Sequence, residues 1–208
     1  MVDDTLENYL RKAAEFHGCS QEAPGVVIGC FMVEYALDLM GDFQGTLNAV
    51  VETRVCLSDC VQVMTGCTIG NKRLRLHDHL GRYACALYDR DSGRGVRVFL
   101  DLAKIEAAGL SELRAFHTRT RDPRLRTDQV ARKESGRRVV DEFRRAGRGV
   151  LSYQRVRVNL PVSDARQTSV PCSRCGEPFL TSVAPGAGIC PACSGEAYVE
   201  AQDGAAGA

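Results

Sequence analysis

The first forty residues carry apolar side chains in a helical period and predict two helices of different character. Residues 3–16 repeat apolar positions at i, i+3, i+4 and i+7, which predicts an amphipathic helix that ends at Gly18. From Pro24 to Gly41 the chain is apolar on nearly every side of a helical projection. This second helix is therefore expected to be central and buried.

The middle of the chain predicts short strands around one short helix. A β-branched run over 46–53 predicts a strand, and Ser58 or Asp59 would cap a short helix that ends at Gly66. Cys56 then lies at a strand-to-helix junction. Further segments, antiparallel strands first and helices after them, are expected over 73–77, 82–88, 95–100, 102–117 and 126–146, with a half-solvated strand over 153–159. Strands and helices are mostly segregated, so the fold class is predicted as α+β, a mostly antiparallel sheet packed with helices.

The composition shifts after Pro161, where the chain turns polar. We expect an α+β core domain over 1–162, a linker over 163–170, a small cysteine-rich module over 171–200 and a disordered tail over 201–208.

Composition narrows the functional classes. With 208 residues, 44% hydrophobic and 25% charged, the chain suits one core-bearing domain and a small appendage, and a net charge of +1 calls for no polyanionic partner. The longest apolar stretch, around residues 26–33, is too short to cross a bilayer, and the acidic start lacks the features of a signal peptide. We expect a cytoplasmic protein with no membrane partner.

Ten cysteines in such a protein favour metal ligation or redox chemistry over disulfides. Four of them form a CxxC-x14-CxxC pattern that lets four thiolates converge on one zinc ion: Cys172, Cys175, Cys190 and Cys193. The pattern predicts a treble-clef-like zinc finger. It could staple the tail, contact a protein or nucleic acid, or act as a redox-active dithiol.

Four segments further upstream occur in an order and spacing that resemble one family. They are Phe16-His17-Gly18, Pro24-Gly25-x-x-x-Gly29, Val51-Glu52-Thr53-x-x-Cys56-x-x-Asp59 and Thr65-Gly66-Cys67-Thr68-x-Gly70-Asn71. Together they are similar to the FmdE family, which is named after formylmethanofuran dehydrogenase, over roughly residues 8–100.

The resemblance implies an α+β core that is often dimeric, with a Cys/His cleft that can bind a metal, and an association with molybdenum or tungsten formylmethanofuran dehydrogenase. On this sequence the implied core ligands are His17, Cys56 and Cys67. All three are predicted at the ends of elements, where loops gather. An imidazole with two thiolates suits Zn²⁺ or another divalent transition metal, and three ligands leave an open position.

The sequence departs from the usual family motif His-Gly-His-x-Cys-Pro-Gly in the loop before Pro24. The second His and the cysteine before the proline are absent, and two extra residues lengthen the loop. Cys19, Glu22 or Cys60 would have to replace the missing ligands.

Ordinary structural roles stay open for several of these residues. His17 could simply bond backbone carbonyls at a helix end. Glu52 and Asp59 could support a metal-bound imidazole, although Asp59 is by default a helix cap. The remaining residues have simple explanations in core packing or in turns: Cys30, Cys85, Thr68, Asn71, His77 and His79.

Basic residues concentrate between Arg114 and Arg157, which holds 14 Lys or Arg and 5 Asp or Glu, a local charge of +9. The run is best explained by a solvated helix face, or by one docked on an acidic neighbouring chain. Nucleic-acid binding is the less favoured explanation, because the segment lacks an aromatic stacking set.

Three functions therefore compete. The first is a metal-binding accessory or regulatory protein of a molybdenum- or tungsten-enzyme system. The second is a metal- or thiol-dependent enzyme acting on a small molecule, for which the sequence shows no nucleophile, base and orienting group together. The third is a zinc-finger adaptor or nucleic-acid-binding regulator.

Overall fold

In the computed structural model, which describes residues 2–160, 168–181 and 188–199, short helices and strands follow one another closely along the chain. The helices are α1 Val2–His17, α2 Pro24–Met40, α3 Leu57–Thr65, α4 Leu102–Ala107, α5 Ser111–His117 and α6 Gln129–Ala146. The strands are β1 Leu47–Val51, β2 Leu74–Leu76, β3 Ala84–Asp89, β4 Arg94–Leu100, β5 Leu151–Arg157, β6 Thr168–Pro171 and β7 Pro178–Thr181. Short helical turns lie at Asp78–Leu80, Pro123–Arg126, Gly147–Val150 and Ala192–Glu196.

The chain divides into two units, Met1–Asn159 and Leu160–Ala208. The first holds a five-stranded sheet in the order β2-β1-β3-β4-β5, and the second holds the β6–β7 hairpin. The prediction of an α+β fold is confirmed. β6 begins within the predicted linker 163–170, and residues 161–167 and the predicted tail lie outside the described residues.

The predicted central helix is confirmed as α2. It begins at Pro24, whose missing N–H is harmless in a first turn, and nine of its residues are buried. α2 contacts α1, α3 and α6 as well as β3 and β4 of the sheet. The hydrophobic core therefore lies around this helix, and its N-terminal end lies against α3.

Three local predictions are corrected. β2 pairs in parallel with β1, because α3 carries the chain between the two strands, so the strand over 73–77 is not part of an antiparallel run. The helix expected over 102–117 is broken into α4 and α5 at Gly109, which adopts φ +67°. α3 starts at Leu57 after Cys56, and neither Ser58 nor Asp59 caps it.

The small unit is built on the predicted cysteine pairs. β6 and β7 form an antiparallel hairpin in the register Thr168 with Thr181 and Pro171 with Pro178. The turn between them is closed by Cys172, whose N–H donates to Glu177 O at 2.9 Å, and Gly176 supplies a left-handed residue at φ +79°.

No helix in the described part of the chain has both the length and the hydropathy needed to cross a bilayer.

Candidate metal centres

The four C-terminal thiols converge. The donor atoms of Cys172, Cys175, Cys190 and Cys193 all lie within 4.8 Å of one another, and Cys175 Sγ is 3.9 Å from Cys190 Sγ. A tetrahedral ion bound by four thiolates at about 2.3 Å requires S···S distances of about 3.8 Å. The thiols therefore fit a four-coordinate metal ion with little movement.

Backbone amides prepare this cluster for negative charge. The N–H groups of Cys190 and Arg174 donate to Cys172 Sγ at 3.3 and 3.4 Å, and Cys193 N–H donates to Cys190 Sγ at 3.4 Å. These donors, with that of Cys190 first, lower the pKa of Cys172 to about 6. The neighbouring thiols, Cys190 first, raise the pKa of Cys193 to about 12. A bound cation would relieve that crowding of like charges.

A second cluster joins the end of α1 to the start of α3. His17 Nδ1 lies 2.5 Å from Asp59 Oδ2, and His17 Nε2 lies 3.5 Å from Cys56 Sγ. His17 ends α1, Cys56 directly precedes α3, and Asp59 is in the first turn of α3. Asp59 therefore orients the imidazole and is no helix cap. The chain of carboxylate, imidazole and thiol was not visible in the sequence, because 42 residues separate its two ends.

The close approach of α2 makes room for this arrangement. A Cβ on Gly25 would lie 2.6 Å from Cys56 Sγ, and one on Gly29 would lie 2.7 Å from Cys60 Sγ. Tyr83 adds a lock, because its hydroxyl donates to Gly25 O at 2.6 Å. Two glycines one helical turn apart thus let α3 pack directly onto the backbone of α2.

The other predicted core ligands divide between this cluster and the hydrophobic core. Cys19 is close enough to Cys56 and Asp59 that burial, and then those two groups, raise its pKa. Burial first, and then Asp59, likewise raise the pKa of Cys56. Cys60 is fully buried, donates to Val26 O at 3.5 Å, and its hydrogen bond with Cys30 raises its pKa well above the usual value.

Cys67 is not brought to the cluster. It follows α3, whose nine residues separate it from Cys56, and its thiol donates to Leu47 O at 3.3 Å. Nine helical residues span about 13 Å, too far for both thiols to reach one ion. Cys67 is therefore placed in the core beside β1.

The remaining candidates have structural partners. Glu22 pairs with Arg137 at 3.3 Å. Glu52 pairs with Arg97 and Arg82 at 2.6 Å each and does not contact His17. The other candidates take the simpler roles foreseen for them: Cys30 and Cys85 are buried core thiols, Thr68 and Asn71 close a turn by exchanging hydrogen bonds, and the rings of His77 and His79 lie 5.5 Å apart.

The two clusters differ in tightness. Among the residues that the structure describes, the C-terminal four are the one group of three or more candidate ligands whose donor atoms all lie within 4.8 Å. The His17–Cys56 pair has its orienting carboxylate in place, which is the usual support behind a metal-bound histidine. It needs a further ligand, and Cys19 is the nearest cysteine that could move to supply one.

Fold and site together define a class: an α+β domain with a Cys/His/Asp cluster at the end of its first helix, and a separate four-cysteine module able to hold a metal ion. A family model described as FmdE, molybdenum formylmethanofuran dehydrogenase operon, matches residues 16–157. The chain belongs to this FmdE family.

Two relatives extend the match beyond the core domain. The crystal structure of a tungsten formylmethanofuran dehydrogenase FmdE-like protein from Syntrophus aciditrophicus is 31% identical, with a TM-score of 0.75, covering 94% of this chain and 95% of that one. A probable S-adenosyl-L-methionine-binding protein of Archaeoglobus fulgidus is 28% identical over 210 residues, which is 93% of this chain. The match spans only 54% of that relative's length.

Proposed function

We propose that the protein carries two metal ions: zinc in the four-cysteine module, and a divalent transition metal in the core domain, bound by His17 Nε2 and Cys56 Sγ. The observation that carries the core site is the Asp59–His17–Cys56 chain, with contacts of 2.5 and 3.5 Å. Asp59 fixes the imidazole so that Nε2 faces the thiol, and Cys19 joins by turning its side chain toward the same space. Imidazole and thiolate donors suit Zn²⁺ and similar borderline-soft ions.

Each ion has its own task. Four thiolates close the coordination sphere of zinc, so the module ion is structural and its binding supplies the folding energy of a unit that has little core. The core ion keeps an open position, because the chain offers three nearby ligands and a solvent-facing side. An ion with an open position can exchange, or it can bind a small molecule.

Elemental analysis of the full chain tests the core site. Wild type is expected to hold about two metal ions per chain, with about one in Cys56→Ala and in His17→Ala. Cys67→Ala is the matched control, since this thiol bonds Leu47 O and should leave the metal content unchanged. One ion in wild type, or an unchanged content in Cys56→Ala, would exclude the core site.

The family membership supports an accessory or regulatory role beside a molybdenum or tungsten formylmethanofuran dehydrogenase-type enzyme in the cytoplasm. Such a role predicts that wild-type protein changes the activity or metal content of the purified dehydrogenase, and that Cys56→Ala does not. An equal effect of both proteins would separate the core ion from the role.

A thiol-dependent enzyme is the second candidate, because thiol, imidazole and carboxylate in line are also the parts of an activated nucleophile. The two functions differ in how Cys56 reacts with iodoacetamide. A nucleophile is alkylated quickly in the protein as isolated, and more slowly in His17→Ala. A metal ligand is protected until a chelator removes the ion.

A further inference from the structure

A cavity of about 710 Å³ in the core domain has Cys56 in its wall. Tyr83, His117 and Phe116 contribute further lining, and much of the rest comes from the segment between the end of α5 and the first turns of α6. This volume falls in the range of small-molecule sites in proteins. The cavity therefore joins the proposed core metal site to the basic segment of the sequence.

The lining of the cavity is strongly cationic. Four arginines face it, Arg119, Arg121, Arg126 and Arg132, against a single acidic residue, Asp122. Asp122 is already engaged, because Arg124 donates to it at 2.6 and 2.9 Å. Four guanidinium groups around one concave space repel one another unless an anion lies between them.

The same segment neutralises several of its other arginines within the chain. Outside the cavity, ion pairs join Arg137 to Glu22, Arg138 to Glu112, Arg144 to Glu7, and Arg148 to Glu34 and Asp38. Within the described parts of the chain, none of the four cavity arginines has a carboxylate at ion-pair distance. Much of the positive charge left over in the segment is therefore gathered at the cavity.

Two further features indicate that the cavity wall is shaped for a ligand. Arg119 adopts a left-handed backbone conformation, φ +59°, which costs a side chain such as arginine energy and is common at ligand clamps. The Arg121 guanidinium stacks on Phe116, 4.9 Å from the ring centroid, which holds it half-buried in place. Burial lowers the pKa of His117, so its imidazole is neutral and can accept or donate a hydrogen bond there.

We propose that this cavity binds a small molecule through a phosphate or carboxylate group held by Arg121, Arg126 and Arg132, with the remainder of the molecule directed toward Cys56. Guanidinium groups match both anions as paired donors, so the charge is recognised first and the rest of the molecule second. The step that places the far end of the ligand at a metal rests on the proposed function. The binding of the anion does not.

Calorimetric titration of the full chain at low ionic strength tests the proposal, with inorganic phosphate in one arm and succinate in the other. Wild type is expected to bind at least one of them, and the arm that binds more tightly identifies the anion. In Arg121→Ala/Arg132→Ala the affinity should fall at least about tenfold. The single variant Arg126→Glu, a change of an exposed side chain, should have a similar effect.

The matched control is Arg137→Ala/Arg138→Ala, which removes two ion-paired arginines of the same helix, and its affinity should stay within about twofold of wild type. No binding of either anion by wild type, or an equal loss in both double variants, would overturn the proposal. So would a single-stranded oligonucleotide that binds more tightly than the small anions and is weakened by both double variants, which would assign the charge to nucleic acid.

The variant Cys56→Ala separates this proposal from the metal site. Phosphate or succinate binding should persist in Cys56→Ala, because the arginines are intact. Loss of binding in that variant would show that the anion is held by the core metal and would overturn the arginine site. If Cys56→Ala keeps both its metal and its anion affinity, the core metal site fails and the anion site stands.

Discussion

Gly25 and Cys56 lie so close that a single added methyl group on Gly25 would come within 2.6 Å of the Cys56 sulfur. The contact joins the first turn of α2 to the start of α3, and the Tyr83 hydroxyl bonds the same glycine. The position of the thiol is thus set by backbone packing as well as by His17.

Gly25→Ala is therefore expected to displace the Cys56 side chain, lower the core metal content and reduce the free energy of unfolding by about 2 kcal/mol, because overpacking at a tight contact forces backbone shifts. Chemical denaturation followed by circular dichroism measures the stability, since the chain has no tryptophan. Gly136→Ala is the control: its Cβ would meet Pro24 at an ordinary 3.6 Å, so it should keep its metal and be no less stable.

Asp59→Asn tests the orienting role of the carboxylate on His17. The substitution keeps the size of the side chain and weakens its hold on the imidazole N–H, so core metal affinity should fall about 10- to 100-fold. Competition of the protein with a chromogenic chelator, with Co²⁺ as the spectroscopic probe, reports this affinity. Asp78→Asn, which removes a carboxylate paired with Arg54, should leave it unchanged.

Glu52→Gln is expected to destabilise the core domain. Glu52 is buried, and Arg97 donates to its two oxygens at 2.6 and 2.8 Å while Arg82 lies at 2.6 Å. Removing one charge from such a buried network costs about 3 kcal/mol, because the partner charge is left without compensation. Urea denaturation at neutral pH measures this loss, and an unchanged midpoint would show that the ion pair contributes nothing.

The same residue makes stability depend on pH. Burial alone would raise the pKa of Glu52, yet the hydrogen bonds and charges of Arg97 and Arg82 outweigh burial and lower it. A lowered folded-state pKa means that the stabilisation is present above the unfolded-state value of about 4.3 and is lost as the pH falls toward the folded-state value. Stability measured from pH 6 down to pH 3 should therefore fall less steeply in Glu52→Gln than in wild type.

Metal removal should affect the two units unequally. A strong chelator is expected to unfold the cysteine module, whose folding depends on its ion, and to leave the core domain folded around α2. Limited proteolysis followed by mass spectrometry should show cleavage within 168–199 while residues 24–157 stay protected. Equal protection of both parts after chelation would mean that the module folds without metal.

Local signals in the sequence predicted the parts of the fold that depend on neighbouring residues. The unbroken apolar character of 24–40 marked the central helix, and the polar turn after Asp89 marked the hairpin of β3 and β4. The cysteine spacing placed four thiols within reach of one ion. Each of these features is decided within about twenty residues.

The parts that the sequence did not reveal depend on distant contacts. Asp59 was expected to cap a helix, yet tertiary packing brings the end of α1 to it and turns it toward His17. Arg97 reaches Glu52 from 45 residues away, so the role of Glu52 was invisible in its own motif. The placement of Cys67 was foreseeable in part, since a helix of nine residues between two cysteines already separates them too far for one ion.

Diffraction data collected on either side of the metal absorption edge, from crystals of the full chain, test the central claim most directly. We expect two anomalous peaks per chain. One should lie among the four sulfurs of the C-terminal module. The other should lie between His17 Nε2 and Cys56 Sγ, at about 2.1 Å from the nitrogen and about 2.3 Å from the sulfur. A peak in the module with none beside His17 would contradict the core metal site.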